Sequence, residues 1–180
     1  MMAGTLVAVV GPSGAGKDTL IAGALAQRPD ISRVRRVITR PEAAGGEDFE
    51  GVSAAEFDRR LGAGELAAHW DAHGLRYGLP ASLRADLAAG RVVLFNGSRA
   101  ALPALAAAFP ALSVIVITAP VALRAARLAA RGREDAADIA ARLAREVPDL
   151  PAGARIVEND ASPAEGIARL LAALPAKATP

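Results

Sequence analysis

Several residue types are scarce in this chain, and each scarcity narrows the range of functions. Cysteine is absent, which excludes a disulfide framework and a thiolate zinc site. Aromatic residues make up 3% of the 180 residues, and we recognise no nucleic-acid-binding module in the sequence. No apolar run approaches the roughly 20 residues that span a bilayer, and no basic segment precedes Leu6–Val10 as in a signal peptide. We therefore expect a cytoplasmic protein that binds neither nucleic acid nor membrane.

Lysine is scarce as well, since Lys17 and Lys177 are its two positions among 21 basic residues. Acidic residues number 19, so the formal net charge is +2. The rest of the positive charge is arginine, which binds phosphate oxygens through paired hydrogen bonds that lysine cannot make. The arginines cluster between Arg33 and Arg40 and between Arg124 and Arg145. We therefore expect small phosphorylated ligands.

Apolar residues make up 52% of the chain, enough to bury the core of a single domain. Short apolar runs rich in β-branched residues alternate with segments of helical spacing, which is typical of an α/β fold with a parallel sheet. The predicted strands are 5–10, 34–38, 91–95, 112–118 and 155–158. The predicted helices are 17–27, 53–61, 82–89, 102–108, 120–131, 135–146 and 163–174. Residues 45–51 are expected to form a loop. Residues 65–80 are expected to form extended or hairpin structure outside the main sheet, and Ser53 with Glu56 predicts a capping box.

Residues 11–19 read Gly-Pro-Ser-Gly-Ala-Gly-Lys-Asp-Thr, a phosphate-binding loop between a predicted strand and a predicted helix. Its glycines would let backbone N–H groups approach phosphate oxygens at the start of the helix. Lys17 would reach the β- and γ-phosphates of a nucleotide. The residues assigned to the nucleotide phosphates are Gly11, Ser13, Gly14, Ala15, Gly16, Lys17, Asp18 and Thr19.

Asp18 stands where this motif usually carries the hydroxyl that binds magnesium. A bare carboxylate beside phosphate oxygens is repelled, by about 4 kcal/mol per pair of unit charges at 4 Å near a surface. Mg²⁺ between them would remove that repulsion, because magnesium binds carboxylates together with substrate phosphates. Asp18 is therefore a candidate magnesium ligand, directly or through water; the alternative is that it pairs with a nearby arginine.

Two further segments are candidates for the acceptor and for a lid. Residues 37–41 and 45–49 suggest a phosphate site on the acceptor side in which Arg40 clamps the anion. Arginines 124–145 lie on two predicted helices joined by a glycine turn, which suits a mobile lid over a transferring phosphate. Some of these arginines would instead form ordinary ion pairs along the helices. His69 and His73 have no acidic or thiol cluster beside them, so a metal site there is not expected.

Beyond the loop, the pattern resembles the guanylate-kinase branch of the nucleoside monophosphate kinases over nearly the whole chain. The matching residues are Thr39-Arg40, Tyr77-Gly78, Arg127-Leu128, Arg131-Gly132, Arg142-Leu143 and Asn159-Asp160. The guanine-reading positions of that branch do not match, because His69 replaces an acidic residue and Leu79 a hydroxyl residue. The acceptor loop also departs from the pattern, with Phe49 for its tyrosine and Ala43 for its second arginine.

These departures coincide with the ribose 1,5-bisphosphate phosphokinase family of bacterial phosphonate breakdown, which the chain resembles in five blocks. The blocks are 11–19, 36–40, 72–78, 96–99 and 131–134. The resemblance implies a P-loop kinase fold with a parallel sheet of about five strands flanked by helices. It also implies that ATP, with Mg²⁺, phosphorylates the 1-phosphate of ribose 1,5-bisphosphate to give 5-phospho-α-D-ribose 1-diphosphate and ADP. Such an acceptor is already anionic, so no general base is expected.

The resemblance also implies residue roles and a division of the single domain. It implies catalytic roles for Lys17, Arg131 and Arg142, contacts to the ATP base side for Arg127 and Asn159, and metal binding for Asp18. The substrate-binding residues would be Arg36, Arg40, Glu47, His73, Tyr77, Asn96, Ser98 and Arg99. The core would comprise 1–34, 82–120 and 153–175, with an acceptor-binding insert at about 35–81 and a lid at about 121–150. A homodimer is possible.

Two other interpretations remain open. One is a nucleoside monophosphate kinase with altered base preference. The other is a kinase-like binding module without catalysis, which would not need Lys17 or an arginine-rich lid.

Overall fold

A central parallel sheet of five strands is covered by helices on both faces, which confirms the α/β fold class. The structure is a computed structural model, and it describes residues 4–44, 47–130, 136–144 and 150–175. The strands are β1 (Thr5–Val10), β2 (Ile31–Arg33), β3 (Arg36–Ile38), β4 (Phe49–Gly51), β5 (Leu66–Ala72), β6 (Leu75–Pro80), β7 (Val92–Asn96), β8 (Ser113–Thr118) and β9 (Arg155–Glu158). The helices are α1 (Lys17–Gln27), α2 (Ala54–Gly62), α3 (Leu83–Ala88), α4 (Leu102–Ala108), α5 (Val121–Ala130), α6 (Ala136–Leu143) and α7 (Pro163–Ala173).

The strand order in the central sheet is β2-β7-β1-β8-β9. Side chains alternate between the two faces of β1, so Val7 and Val9 pack under α1 and α7 while Ala8 and Val10 pack toward α4. All four of these side chains are fully buried. Because the central strands are all parallel, their carboxyl ends meet at one edge of the sheet. The phosphate loop begins at that edge.

A second sheet of four strands has the order β4-β3-β6-β5. Strands β5 and β6 form an antiparallel hairpin, as the glycine-punctuated segment predicted, while β3 and β4 pair in parallel. Trp70 packs from this sheet into the same apolar cluster as Phe95 and Leu105 of the main core. The second sheet is therefore anchored to the central sheet through shared buried side chains.

Three local predictions are wrong. Residues 34–38 do not form one strand: Ile31–Arg33 joins the central sheet, and the chain then turns so that Arg36–Ile38 enters the second sheet. Residues 45–51 are not all loop, because Phe49–Gly51 pairs with β3. Ser53 accepts a hydrogen bond from the Glu56 N–H (3.1 Å), but the Glu56 carboxylate binds Arg59 and Arg60 instead of completing a capping box.

Within the described ranges, no helix is both long and apolar enough to cross a bilayer.

Candidate active site

The loop between β1 and α1 has the backbone of an anion cradle. Gly14 (φ 78°) and Gly16 (φ 93°) adopt left-handed conformations that other residues rarely take. A Cβ on Gly14 would lie 2.7 Å from the Arg124 carbonyl oxygen, and one on Gly16 would lie 2.4 Å from Asn159 Nδ2. Glycine is therefore required at both positions by conformation and by space. The loop then leads into the N-terminus of α1, where the helix dipole favours an anion.

Lys17 is the first residue of α1, and its ammonium lies beneath the loop. Its Nζ donates hydrogen bonds to the carbonyl oxygens of Gly11 (2.9 Å) and Pro12 (3.2 Å). Burial lowers the pKa of Lys17 from 10.5 to about 8, and the positive charges of Arg36 and Arg99 add to the effect, while Asp18 opposes it. The ammonium is thus held where its charge is poorly compensated, and an anion at this position would stabilise it.

Asp18 also faces this region, where its Oδ1 accepts a hydrogen bond from Asn96 Nδ2 (2.9 Å). Among the residues that the structure describes, its side-chain partner is this amide at the carboxyl end of β7 and not an arginine. No group of three or more histidine and carboxylate side chains that could hold a metal occurs among the residues that the structure describes. A divalent cation at Asp18 would need oxygens from a bound phosphate as well.

A cavity of about 500 Å³ joins the loop to the second sheet and to the end of β7. It brings together most of the residues predicted from sequence. These are Gly11, Ser13, Gly14, Gly16, Lys17, Asp18, Arg36, Arg40, Glu47, His73, Tyr77, Asn96, Ser98 and Arg99. Four cationic side chains and two carboxylates line the cavity, so its walls carry an excess of positive charge. Such a cavity favours a polyanionic ligand.

The acceptor side of the cavity is a buried ion pair stacked on aromatic rings. Arg36 donates to the Glu47 carboxylate, and both side chains are largely shielded from solvent. The Arg36 guanidinium lies 5.2 Å from the centre of the Tyr77 ring, which is itself stacked on Trp70 at 5.6 Å. Arg40 lies 4.4 Å from the Phe49 ring. These contacts fix the planes of both guanidinium groups, as bidentate recognition of phosphate requires.

Arg99 lies opposite them, in the turn that follows β7. Burial lowers the pKa of Arg99, and the charge of Arg124 adds to the effect. Within the described part of the chain, Arg99 has no carboxylate partner. His73 lines the cavity from the exposed turn of the β5–β6 hairpin, where its φ is 54°. His69 is exposed on β5 and does not line the cavity.

Four described residues that were predicted for the site do not line the cavity. Thr19 is exposed on α1, outside the cavity lining, and Ala15 is buried in the loop. Arg127 and Asn159, predicted at the base of ATP, hydrogen-bond to carbonyls of the loop and do not line the cavity. Arg131 is outside the described residues, and for Arg142 the structure gives a position on α6 without a described side chain.

Arg124 makes a contact with the phosphate loop that sequence reasoning did not predict, although its place in the arginine cluster was visible. Its side chain is 8% exposed, and its Nε donates to the Ser13 carbonyl oxygen (3.0 Å). The unpredicted residues of the cavity lining are small or apolar and leave no chemical signal in a sequence: Pro12, Ala72, Leu75, Gly97 and Ala100.

The fold and the loop define a P-loop kinase. The structure is similar to guanylate kinase from Anaplasma phagocytophilum, with a TM-score of 0.64 and 21% identity over 94% of this chain and 84% of that one. It is also similar to a gluconokinase from Sinorhizobium meliloti 1021, with a TM-score of 0.53 and 18% identity over 95% and 91% of the two chains. At these identities the likeness concerns the fold alone. No model of a protein family matches the sequence.

Relatives identified by sequence are much more similar to this chain than these structures are. The chain is 52% identical to the ribose 1,5-bisphosphate phosphokinase of Acidiphilium cryptum over 89% of its own length and 86% of the relative's. It is 48% identical to the Ruegeria enzyme of the same name, covering 87% of this chain and 82% of the relative. The chain therefore belongs to the ribose 1,5-bisphosphate phosphokinase family.

A longer relative carries a second activity in its name. The chain is 51% identical to the bifunctional ribose 1,5-bisphosphokinase-thymidine phosphorylase of Azorhizobium caulinodans over 98% of its own length. It spans 26% of that protein and 29% of the similar protein from Cupriavidus necator.

Proposed function

We propose that this protein is a kinase that transfers the γ-phosphoryl group of ATP to the 1-phosphate of ribose 1,5-bisphosphate. The products are 5-phospho-α-D-ribose 1-diphosphate and ADP. The observation that carries the proposal is the single cavity in which Lys17 of the phosphate loop faces Arg36, Arg40 and Arg99. Family membership supports ribose 1,5-bisphosphate as the acceptor, and the cavity supplies a place where two anionic groups can meet.

The proposed phosphoryl transfer needs no general base from the protein. An oxygen of the 1-phosphate would form a bond to the γ-phosphorus of ATP while the bond from that phosphorus to the β-bridging oxygen breaks, and ADP leaves. The attacking phosphate is already deprotonated near neutral pH, so no side chain has to remove a proton. Catalysis then depends on bringing two polyanions together and neutralising their repulsion.

The side chains in the cavity suit that task. Lys17 would bind the β- and γ-oxygens, with the loop N–H groups on the same anion. Arg99, which has no carboxylate partner in the described part of the chain, can approach the reacting phosphates from the β7 side. Arg36 and Arg40, held against aromatic rings, would bind the acceptor from the second sheet. Glu47, His73, Tyr77, Asn96 and Ser98 remain proposed substrate contacts on the cavity wall.

Asp18 is the proposed residue for Mg²⁺. Its carboxylate lines the cavity next to Lys17, and its hydrogen bond to Asn96 holds it in place. Magnesium favours one or two carboxylates together with substrate phosphates, so one well-held carboxylate suits it. When bound, Mg²⁺ would neutralise charge on the phosphate oxygens.

The proposed division of the chain follows from these roles. We propose that 35–81 forms the acceptor-binding insert and that 121–150 forms the lid, with Arg131 and Arg142 supplying charge to the transferring phosphate. The core would be 1–34, 82–120 and 153–175. A cytoplasmic location and a homodimer remain predictions.

One assay with separate acceptors tests the proposal. Purified protein is given Mg-ATP with ribose 1,5-bisphosphate, GMP or AMP, and the products are separated by chromatography. We expect ADP and 5-phospho-α-D-ribose 1-diphosphate with the first acceptor alone. Phosphorylation of GMP or AMP without turnover of the sugar would overturn the proposal in favour of a nucleoside monophosphate kinase. Tight nucleotide binding without turnover of any acceptor would instead favour a binding module.

A further inference from the structure

The phosphate loop is held from behind by three side chains that lie outside the cavity. Arg124 Nε donates to the carbonyl oxygen of Ser13 (3.0 Å). Arg127 Nη1 donates to those of Gly14 (3.5 Å) and Ala15 (3.3 Å), and Asn159 Nδ2 also donates to Ala15 (2.8 Å). Three consecutive carbonyl groups of the loop are thus bound on one side.

Peptide geometry gives these bonds a consequence on the other side of the loop. In a planar trans peptide, the carbonyl of one residue and the N–H of the next point in opposite directions. Holding the carbonyls of Ser13, Gly14 and Ala15 therefore orients the N–H groups of Gly14, Ala15 and Gly16 the other way. Gly14 and Gly16 line the cavity, whereas Arg127 and Asn159 do not. The side chains that grip the carbonyls thus lie away from the cavity that the loop faces.

Two of the oriented N–H groups are available for a ligand. The Ala15 N–H donates to the Pro12 carbonyl oxygen (3.3 Å), which closes a turn within the loop. For the N–H groups of Gly14 and Gly16, no acceptor is found among the residues that the structure describes. Both are donors at the cavity wall, as a site for phosphate oxygens requires.

Asn159 is fixed between two glycines. A Cβ on Gly16 would lie 2.4 Å from its Nδ2, and a Cβ on Gly166 of α7 would lie 2.6 Å from its Oδ1. Asn159 is 4% exposed, and Arg127 Nη2 donates to the backbone carbonyl oxygen of Asn159 (3.0 Å). Asn159 therefore connects the loop to α7, and Arg127 connects the loop to α5.

The two arginines also place charge behind the loop. Neither Arg124 nor Arg127 has a carboxylate partner within the described ranges of the chain. Arg124 is buried, which lowers its pKa, but a guanidinium remains charged at neutral pH. Their positive charges face backbone carbonyls and reinforce the attraction of the loop for phosphate.

We propose that Arg124, Arg127 and Asn159 are positioning residues that orient the N–H groups of the phosphate loop toward the nucleotide phosphates. This group is called the loop clamp here. This role is additional to the predicted contact of Arg127 and Asn159 with the ATP base, and it rests on the proposed function for the identity of the nucleotide. It assigns these residues an effect on nucleotide affinity without contact to the acceptor.

The test compares Arg127→Met, Arg127→Lys and a matched control, Arg155→Met. Arg155 also donates to a backbone carbonyl, that of Ala173 (2.5 Å), but it is exposed and outside the clamp. ADP affinity is measured by calorimetry without acceptor, and exchange of the loop amides is followed by hydrogen–deuterium exchange. The KM values for ATP and for the acceptor are measured separately.

We expect Arg127→Met to weaken ADP binding at least tenfold, raise KM for ATP to a similar extent and speed exchange of the loop amides, with KM for the acceptor within twofold. Arg127→Lys should recover part of the ADP affinity, because it keeps the charge but cannot reach all three carbonyls. Arg155→Met should bind ADP as the wild type does. If Arg127→Met does not fold, Arg124→Lys, which keeps the buried charge without the Nε donor, is measured in the same way.

The proposal is overturned if the clamp variants melt at lower temperature but bind ADP as tightly as Arg155→Met does. Equal changes in both KM values would also overturn it, since they would indicate a general disturbance of the cavity. The ADP measurement needs no acceptor. Weakened ADP binding in a protein that does not phosphorylate ribose 1,5-bisphosphate would therefore support the clamp while the proposed function fails.

Discussion

Replacing Lys17 by methionine should lower activity without lowering stability at pH 7. Methionine keeps most of the volume of the side chain but removes a charge that burial makes unfavourable. The pKa of Lys17 falls from 10.5 to about 8 in the folded protein, chiefly because of burial. At about 1.36 kcal/mol for each pKa unit, the folded protein holds this proton about 3 kcal/mol less favourably than the unfolded chain does.

The sign of the pH dependence follows from the same values. Between about pH 8 and 10.5 the unfolded chain keeps the lysine proton and the folded protein has lost it, so the unfolding free energy rises with pH. As the pH rises from 7 to 10.5, the unfolding free energy of the wild type should therefore increase by about 3 kcal/mol relative to that of Lys17→Met. At pH 7 the variant is expected to be as stable as the wild type or more so, because loss of the unfavourable charge offsets the lost hydrogen bonds to Gly11 and Pro12.

Urea denaturation of both proteins at several pH values measures this difference, and groups that titrate alike in the two proteins cancel. Turnover should fall by about 10²- to 10³-fold in the variant, as when one donor to a transition-state anion is removed. A stability difference that does not change with pH would refute the claim that burial destabilises this ammonium. Near-normal turnover would refute the assignment of the loop.

Three further predictions concern neighbouring residues. Asp18→Asn should raise the Mg²⁺ concentration for half-maximal activity about tenfold or more, because a neutral amide is a weaker ligand than a carboxylate; an unchanged magnesium titration would exclude a metal role. Gly16→Ala should lower the unfolding free energy by about 1 to 2 kcal/mol through its left-handed backbone alone. The contact of the new Cβ with Asn159 should lower it further, and urea denaturation measures the total change. Glu47→Gln should lower the unfolding free energy by about 3 kcal/mol, because it leaves the buried charge of Arg36 unpaired. The control is Asp58→Asn, because Asp58 is exposed and pairs with Arg76; this change should lower the unfolding free energy much less.

The sequence predicted the β1–loop–α1 unit with its boundaries because local signals determine it. Thr5–Val10 is apolar and rich in valine, the glycines mark the turn, and Lys17–Gln27 has helical spacing before Pro29. The same holds for the β5–β6 hairpin, where Gly74 marks the turn. The signals for these elements lie within the segments themselves, so a pattern of a few residues suffices to predict them.

The sequence could not predict contacts that depend on distant parts of the chain. Arg127 and Asn159 meet the loop across separations of 112 and 144 residues from Ala15, and no local pattern indicates them. Ile31–Arg33 is too short to be recognised as a strand, and it is ordered by pairing with β7. The resemblance to a family named most of the residues that line the cavity. For Arg127 and Asn159 the structure adds hydrogen bonds to the loop, and their contact with the ATP base stays a prediction.

The walls of the cavity also indicate what kind of acceptor suits it. Its four cationic side chains outnumber its two carboxylates, Asp18 and Glu47, so an excess of positive charge remains after Glu47 pairs with Arg36. The positions that read guanine in the guanylate-kinase branch do not face the cavity, because His69 is exposed on the far side of β5 and Leu79 is fully buried in the core. A base would therefore find no side chains at those positions to hydrogen-bond with. A small acceptor with two phosphates satisfies the charge and needs no base contacts, and this agrees with ribose 1,5-bisphosphate as the proposed substrate.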